Sequence, residues 1–179
     1  MDIRAEKVNK NNKQKVKEIY LSAFPKEERM PFWLMLIMGK LWNTQFISFR
    51  HNDTVCGFVY IAVSRKLIFI MFFAVDKSLR SKGYGGRILE KIQAMYPNRK
   101  IILSIERCDV EAQDLEQRIR RKRFHQKNGY METGYFVKLA GVEHDIISKN
   151  GTFKNGEFRR FFIKYSNATM YHKIWRAAS

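Results

Sequence analysis

The run from Leu67 to Val75 is apolar without a break, and a little further on Gly83, Gly85 and Gly86 crowd around Tyr84. An apolar run that does not alternate with polar residues belongs to a strand covered on both faces. It is far short of the roughly 20 residues that a membrane-crossing helix requires. Past the glycines, Ile88, Leu89, Ile92 and Met95 fall on one helical face, and Pro97 ends the pattern. A buried strand therefore feeds a glycine-rich turn, and a helix starts at once. The first turn of a helix leaves backbone N–H groups unpaired and carries a partial positive charge. Glycines let those amides approach an anion closely, so a diphosphate fits there, with Arg80 and Lys82 adding mobile charge. The same glycines also suit a plain strand-to-helix turn that needs only their backbone angles.

The flanking sequence builds outward from this unit. Upstream, Phe46 to Arg50, Val55 to Val63 and Leu67 to Val75 are strand-like and joined by short connections, which predicts an antiparallel meander. Ile3 to Glu6, extended by Lys7 and Val8, suits a first strand. Asn11-Asn12 opens a helix with Val16, Ile19, Tyr20 and Ala23 on one face; Pro25 interrupts it, and a second helical segment is expected from Lys26 to Leu41. Downstream, Lys100 to Ile105 reads as a strand, so strand, helix and strand imply a parallel crossover. A helix from about Glu111 to Lys127 is expected to turn Leu115 and Ile119 inward and to stop at Gly129. Tyr130 to Leu139 and Val142 to Ser148 follow as strands, and the basic, aromatic tail from Thr152 to Ser179 as a helix with a further end. The fold class is thus α/β (α+β): a mixed, mostly antiparallel central sheet with flanking helices. Without repeats, low-complexity stretches or linkers, residues 1–179 are expected to form a single domain.

Composition narrows the function. Hydrophobic residues make up 45% of the chain, enough for a substantial core and too many for disorder. The 2 Cys, Cys56 and Cys108, stand far apart in no metal-ligand spacing, which suits reduced thiols, no metal and a cytoplasmic setting. The first residues hold no apolar stretch for a secretory signal, so a soluble protein without membrane association is expected. The net charge of +17 favours anionic partners, nucleotide-bearing cofactors or nucleic acid among them.

Arg80-x-x-Gly83-x-Gly85 resembles the coenzyme A pyrophosphate motif of the GNAT superfamily of N-acetyltransferases, [QR]-x-x-G-x-[GA]. It is not the dinucleotide pattern G-x-G-x-x-G, whose spacing differs. Downstream, Phe124-His125-Gln126-Lys127-Asn128-Gly129-Tyr130 is similar to the family's helix end, Phe-Tyr-x-x-x-Gly-Phe. The resemblance runs from about residue 3 to 148 and leaves 149–179 as a C-terminal extension. It implies a GNAT-like sheet with a splayed parallel strand pair and acetyl-CoA as co-substrate. Backbone groups of Phe73, Ala74 and Val75 would pair with the pantetheine arm. Amides of Ser81, Lys82, Gly83, Tyr84, Gly85 and Gly86 would hold the diphosphate beside Arg80, and Asn128 would lie near the thiol end or the adenine side.

Acetyl transfer to an amine needs a neutral nucleophile, a stabilised oxyanion and a proton for the departing thiolate. The family's tyrosine acid is matched here by His125, a departure; an imidazolium could donate that proton, and a packing histidine fits the position equally. Glu106, at the end of the Lys100 strand, is the first choice for a base, against a sheet-end glutamate paired to a neighbouring arginine. Tyr84 and Tyr130 are spare hydroxyls, Glu27 and Glu28 are secondary candidates for binding the amine, and Cys108 and Asp109 read as packing and loop residues. The function expected is acetyl transfer to a small-molecule or peptide amine by direct attack in a ternary complex. The alternatives are acetylation of aminoacyl-tRNA and a non-catalytic acyl-CoA-binding regulator. The basic runs Lys13 to Lys17 and Arg118 to Arg123 suit RNA contacts or solvated helix faces alike, and the pattern is compatible with a monomer or a homodimer.

Overall fold

The computed structural model describes residues 2–40, 43–108, 112, 114–139, 141–165 and 174–176. Two compact units divide the chain, Met1–Arg99 and Lys100–Ser179.

In the first unit, β1 (Arg4–Lys7), β2 (Thr44–His51), β3 (Thr54–Val63) and β4 (Leu67–Val75) pair antiparallel in that order. The Asn52-Asp53 turn between β2 and β3 forms as its sequence predicts, with Asn52 at φ 53°, a left-handed conformation that asparagine tolerates. Helix α1 (Lys13–Ala23) buries Val16, Ile19 and Tyr20. Their neighbours in the core include Met35, Phe46, Phe58 and Tyr60. The aromatic rings there meet edge to face, Tyr20 against Phe72 at 5.3 Å and Phe46 against Tyr60 at 5.4 Å, as their quadrupoles favour.

The helix expected over Lys26 to Leu41 is interrupted. A 3-10 turn (Lys26–Glu28) gives way to extended Arg29, and only Phe32–Met38 is helical, as α2; Leu41 lies outside the described residues. Pro31 disfavours helical geometry at Met30. The break is stitched from α1, since the Tyr20 hydroxyl donates to Met30 O at 3.0 Å. Arg29 in turn donates to Leu21 O in the last turn of α1 at 2.8 Å and to Phe24 O just past it at 2.7 Å.

Strand β4 carries a bulge. Tyr60 faces Phe72 and Ile61 faces Ile70, leaving Met71 without a partner in the register. Leu67 to Ile70 are buried, whereas Met71, Phe72 and Phe73 past the bulge are half-buried. Helix α3 (Tyr84–Met95) follows and buries Ile88, Leu89 and Ile92.

In the second unit, β5 (Lys100–Glu106), β7 (Val142–Lys149), β6 (Met131–Leu139) and β8 (Ile174–Arg176) lie side by side in that order, each pair antiparallel. Helix α4 (Leu115–Lys127) begins later than its sequence predicts; Asp109 and Glu111 lie outside the described residues. It ends as predicted, with Gly129 at φ 83° and Tyr130 N donating to His125 O at 3.1 Å. The tail supplies α5 (Asn155–Tyr165), tied to β5 by Lys100 Nζ and Glu157 Oε2 at 2.8 Å, while its buried Phe158 packs against Phe153 in the segment just before the helix. Its last described residues pair with β6, Trp175 opposite Phe136, a strand the sequence did not predict. Among the described residues no helix is long and apolar enough to cross a membrane.

Candidate functional site

Strand β4 delivers Phe73, Ala74 and Val75 opposite Val59, Phe58 and Gly57 of β3. Gly57 has no side chain for a structural reason: a Cβ there would lie 2.6 Å from Ala74 O and 2.8 Å from Ile88 Cδ1. Its absence lets α3 settle onto the sheet and fixes where the helix begins. Just past β4, Asp76 N donates to Cys56 O at 2.9 Å, and the Asp76 carboxylate accepts from Ser78 N at 2.9 Å and Ser78 Oγ at 2.6 Å, capping a 3-10 turn over Lys77–Leu79. Lys15 of α1 meets its other oxygen at 2.6 Å. Burial alone would raise the Asp76 carboxyl; the Lys15 and Ser78 bonds outweigh it and hold the group at about 2. The lysine is raised in return, chiefly by its bond to Asp76.

The chain then turns through two left-handed residues, Ser81 at φ 61° and Gly83 at φ 84°, and Gly83 is the residue that opens α3. A positive φ is strained for serine, and such strain persists only where the surroundings enforce it. Among the described residues, no backbone hydrogen bond takes up the amides of Ser81, Lys82, Gly83, Tyr84, Gly85 or Gly86. Arg80 folds its Nε towards Val75 O at 3.4 Å, and Lys77, Arg80 and Lys82 are exposed. The Tyr84 hydroxyl, a spare group by sequence, engages His51 Nδ1 at 3.1 Å with the two rings edge to face. This turn is a run of amide donors at a helix N-terminus with the exposed Lys77, Arg80 and Lys82 close by in sequence, and its residues fit a diphosphate.

The second unit groups the other candidates along α4. Glu106 lies at the end of β5, and its two oxygens are held by Arg118 at 3.5 Å and by Arg121, with Glu106 and Arg118 both largely buried. One helical turn beyond Arg121, His125 is 4% exposed, with its ring 5.0 Å from Phe124 and 5.5 Å from Tyr130. Burial, helped by the Arg121 charge, pushes His125 down to about 4, so the imidazole is neutral at pH 7. The Tyr130 hydroxyl is buried without a hydrogen-bond partner among the described residues, and burial raises it well beyond an ordinary phenol. Asn128 caps α4: its Nδ2 donates to Phe124 O at 2.8 Å, and its carbonyl accepts from Lys149 Nζ at 2.9 Å. Cys108 is half-buried, and burial raises its thiol, which argues against a nucleophilic role. Among the described residues no cluster of His, Cys, Asp or Glu has the grouping of a metal site.

Each unit therefore brings its own candidates together, Phe73 to Gly86 around the turn and Glu106, His125 and Asn128 along α4. Sequence reasoning missed Gly57, Lys15, Asp76 and His51 as supports of the turn. A glycine inside an otherwise apolar strand was the available signal for the first; the others depend on contacts between distant segments.

The description "Acetyltransferase (GNAT) domain" matches residues 42–132, half of the chain, and the chain belongs to that family. Solved structures share its fold, the expected α/β class. A GNAT-family protein from Bacteroides thetaiotaomicron superposes with a TM-score of 0.75 at 23% identity, covering 93% of this chain and 99% of that one. An aminoglycoside 6'-N-acetyltransferase complexed with coenzyme A gives 0.63 at 16% identity, covering 83% and 96%. The PaiA N-acetyltransferase of Thermoplasma acidophilum, also in complex with coenzyme A, gives 0.57 at 16% identity, covering 83% and 99%. A search of curated proteins found no match.

Proposed function

We propose that the chain is an acetyl-CoA-dependent N-acetyltransferase acting on a small-molecule or peptide amine in the cytoplasm, with residues 1–179 working as one domain. The observation that carries this reading is the set of unclaimed amides from Ser81 to Gly86 at the head of α3. Bound acetyl-CoA supplies an acetyl group activated as a thioester. Gly83, Gly85 and Gly86 let the turn close on the diphosphate, while Arg80 and Lys82 balance its charge. Val75 and its neighbours supply backbone groups for the pantetheine arm.

The proton chemistry assigned to α4 changes with its surroundings. A neutral, buried His125 has no imidazolium proton to donate at pH 7, and Glu106 would have to accept a proton against two guanidinium groups. In this reading Glu106 anchors α4, His125 packs its last turn, and Asn128 holds the helix end. The acceptor amine arrives as the free base, its nitrogen bonds to the acetyl carbon as the C–S bond breaks, and the proton it loses passes through solvent to the departing thiolate. An RNA-bound acceptor is disfavoured by a specific observation. Arg118, Arg120, Arg121 and Lys122, four of the five cations in the basic run, face the carboxylates of Glu106, Asp114, Glu116, Glu132 and Asp145, which takes most of the run out of play for phosphates.

Calorimetry with coenzyme A tests the cofactor site. Arg80→Ala is expected to weaken binding several-fold, and Gly85→Glu to weaken it more than a hundredfold because its carboxylate takes the place of the phosphate, on the order of 3 kcal/mol. Wild-type affinity in both variants would remove the assignment. Thiol released from acetyl-CoA, measured with and without a panel of amines, tests for catalysis.

A further inference from the structure

Asp76 is an awkward group to find at this place. It is 7% exposed, it follows β4 directly, and it begins the connection that leads into the amides of Ser81 to Gly86. A carboxylate on this connection works against an anion bound at its far end, since like charges repel, and a side chain only 10% exposed is screened less than one in water. Yet Asp76 is needed locally. Its Oδ1 holds both Ser78 N and Ser78 Oγ, and its own N–H and C=O pin the turn to Cys56 O and Leu79 N. The charge is therefore the cost of a structural part, and it is met by Lys15, whose Nζ reaches the other oxygen, Oδ2, at 2.6 Å. Lys15 comes from α1, 61 positions earlier in sequence, and its side chain is 45% exposed. The division of labour is atomic: Oδ1 caps the turn and Oδ2 takes the ammonium.

We propose that Lys15 is a positioning residue of the cofactor site, which cancels the Asp76 carboxylate so that the turn after β4 presents a net positive field to a diphosphate. The inference rests on the acetyl-CoA reading above and adds to it a residue outside the glycine motif. It makes a prediction that a merely structural ion pair does not. If Lys15 mattered only as a strut, affinity would rise and fall with the melting temperature across the variants. If it neutralises, replacing Asp76 by the isosteric asparagine removes the repulsion and keeps an Oδ1 acceptor for Ser78.

Coenzyme A is titrated calorimetrically into the full-length wild type and into Lys15→Met, Lys15→Arg, Asp76→Asn and Lys15→Met/Asp76→Asn, with melting temperatures recorded in parallel. Lys15→Met is expected to weaken binding about tenfold, the scale of one buried charge left uncompensated at moderate distance. Lys15→Arg is expected to bind like the wild type, and the double variant to return to within about threefold of it even where its melting temperature does not recover. Wild-type affinity in Lys15→Met, or a double variant as weak as the single one, overturns the proposal. A wild-type protein that takes up no coenzyme A sinks the acetyl-CoA reading itself, and this inference with it.

Discussion

The turn between β4 and α3 keeps its cations in solvent, whereas α4 spends most of its own on neighbouring carboxylates. Lys77, Arg80 and Lys82 are exposed, and the amides they surround have no backbone acceptor among the described residues. Along α4, Arg118 and Arg121 grip Glu106, and Lys122 bridges Glu132 and Asp145. His125 is the buried residue of that helix, so ion pairs do much of the work that apolar packing does for α3. A basic surface left open can receive an anion. One that is internally balanced builds structure, and the +17 of the chain divides between these uses.

The largest effect expected from breaking this contrast is at Glu106. Glu106→Gln takes the carboxylate from Arg121 and leaves Arg118 to Asp114, and unfolding by denaturant should show a loss of about 3 kcal/mol, as for other buried pairs deprived of one member. An unchanged midpoint would mean that α4 is held by something other than its charges. Next, Gly57→Ala pushes a Cβ into Ala74 O and Ile88, and about 2 kcal/mol should be lost as β4 and α3 are forced apart. Coenzyme A affinity should fall in this variant too, whereas in Glu106→Gln it should hold.

A smaller effect comes from pH. His125 is depressed to about 4 in the folded chain against an ordinary 6.5, so between these values the unfolded chain binds more protons. Its contribution to stability is complete above about pH 6.5 and is lost as pH falls towards 4, roughly 1.5 kcal/mol by pH 5.5. His125→Phe should remove that part of the pH dependence in denaturation curves, and leave turnover at pH 7 close to wild type. A large fall in turnover would return His125 to catalysis. His144 is lowered as well, chiefly by burial, and the part of the slope that persists in the variant is assigned to it. Asp76, held at about 2, contributes its stabilisation in full above about pH 4 and loses it as pH falls towards 2, below the range in which His125 acts. The smallest effect concerns His51→Phe, which removes the hydrogen bond to Tyr84 and keeps a ring beside it. Coenzyme A binding should weaken by about 1 kcal/mol, the worth of one such bond, and an unaltered affinity would detach His51 from the turn.

What could be read from the chain beforehand follows the same contrast. The glycine turn was legible because its logic is local: an apolar strand, residues tolerant of left-handed angles and a helical face succeed one another within a short stretch. The stop of α4 at Gly129 was legible for the same reason. The setting of Glu106 was open, since nothing near it in sequence chooses between a base and a clamp; Arg121 on α4 settles its geometry from 15 positions away. Likewise the depression of His125 depends on how Phe124 and Tyr130 close over it, and the break before α2 on stitching from Tyr20 and Arg29. The pairing of Trp175 with Phe136 had no periodic pattern to announce it.

The central claim is that the amides from Ser81 to Gly86 bind a diphosphate, and backbone amide NMR during a coenzyme A titration addresses it most directly. The account predicts large shifts and slowed hydrogen exchange at Ser81 to Gly86, with the ion-paired face of α4 changing little. Shifts confined to other segments, with these six amides unmoved at saturation, would contradict it.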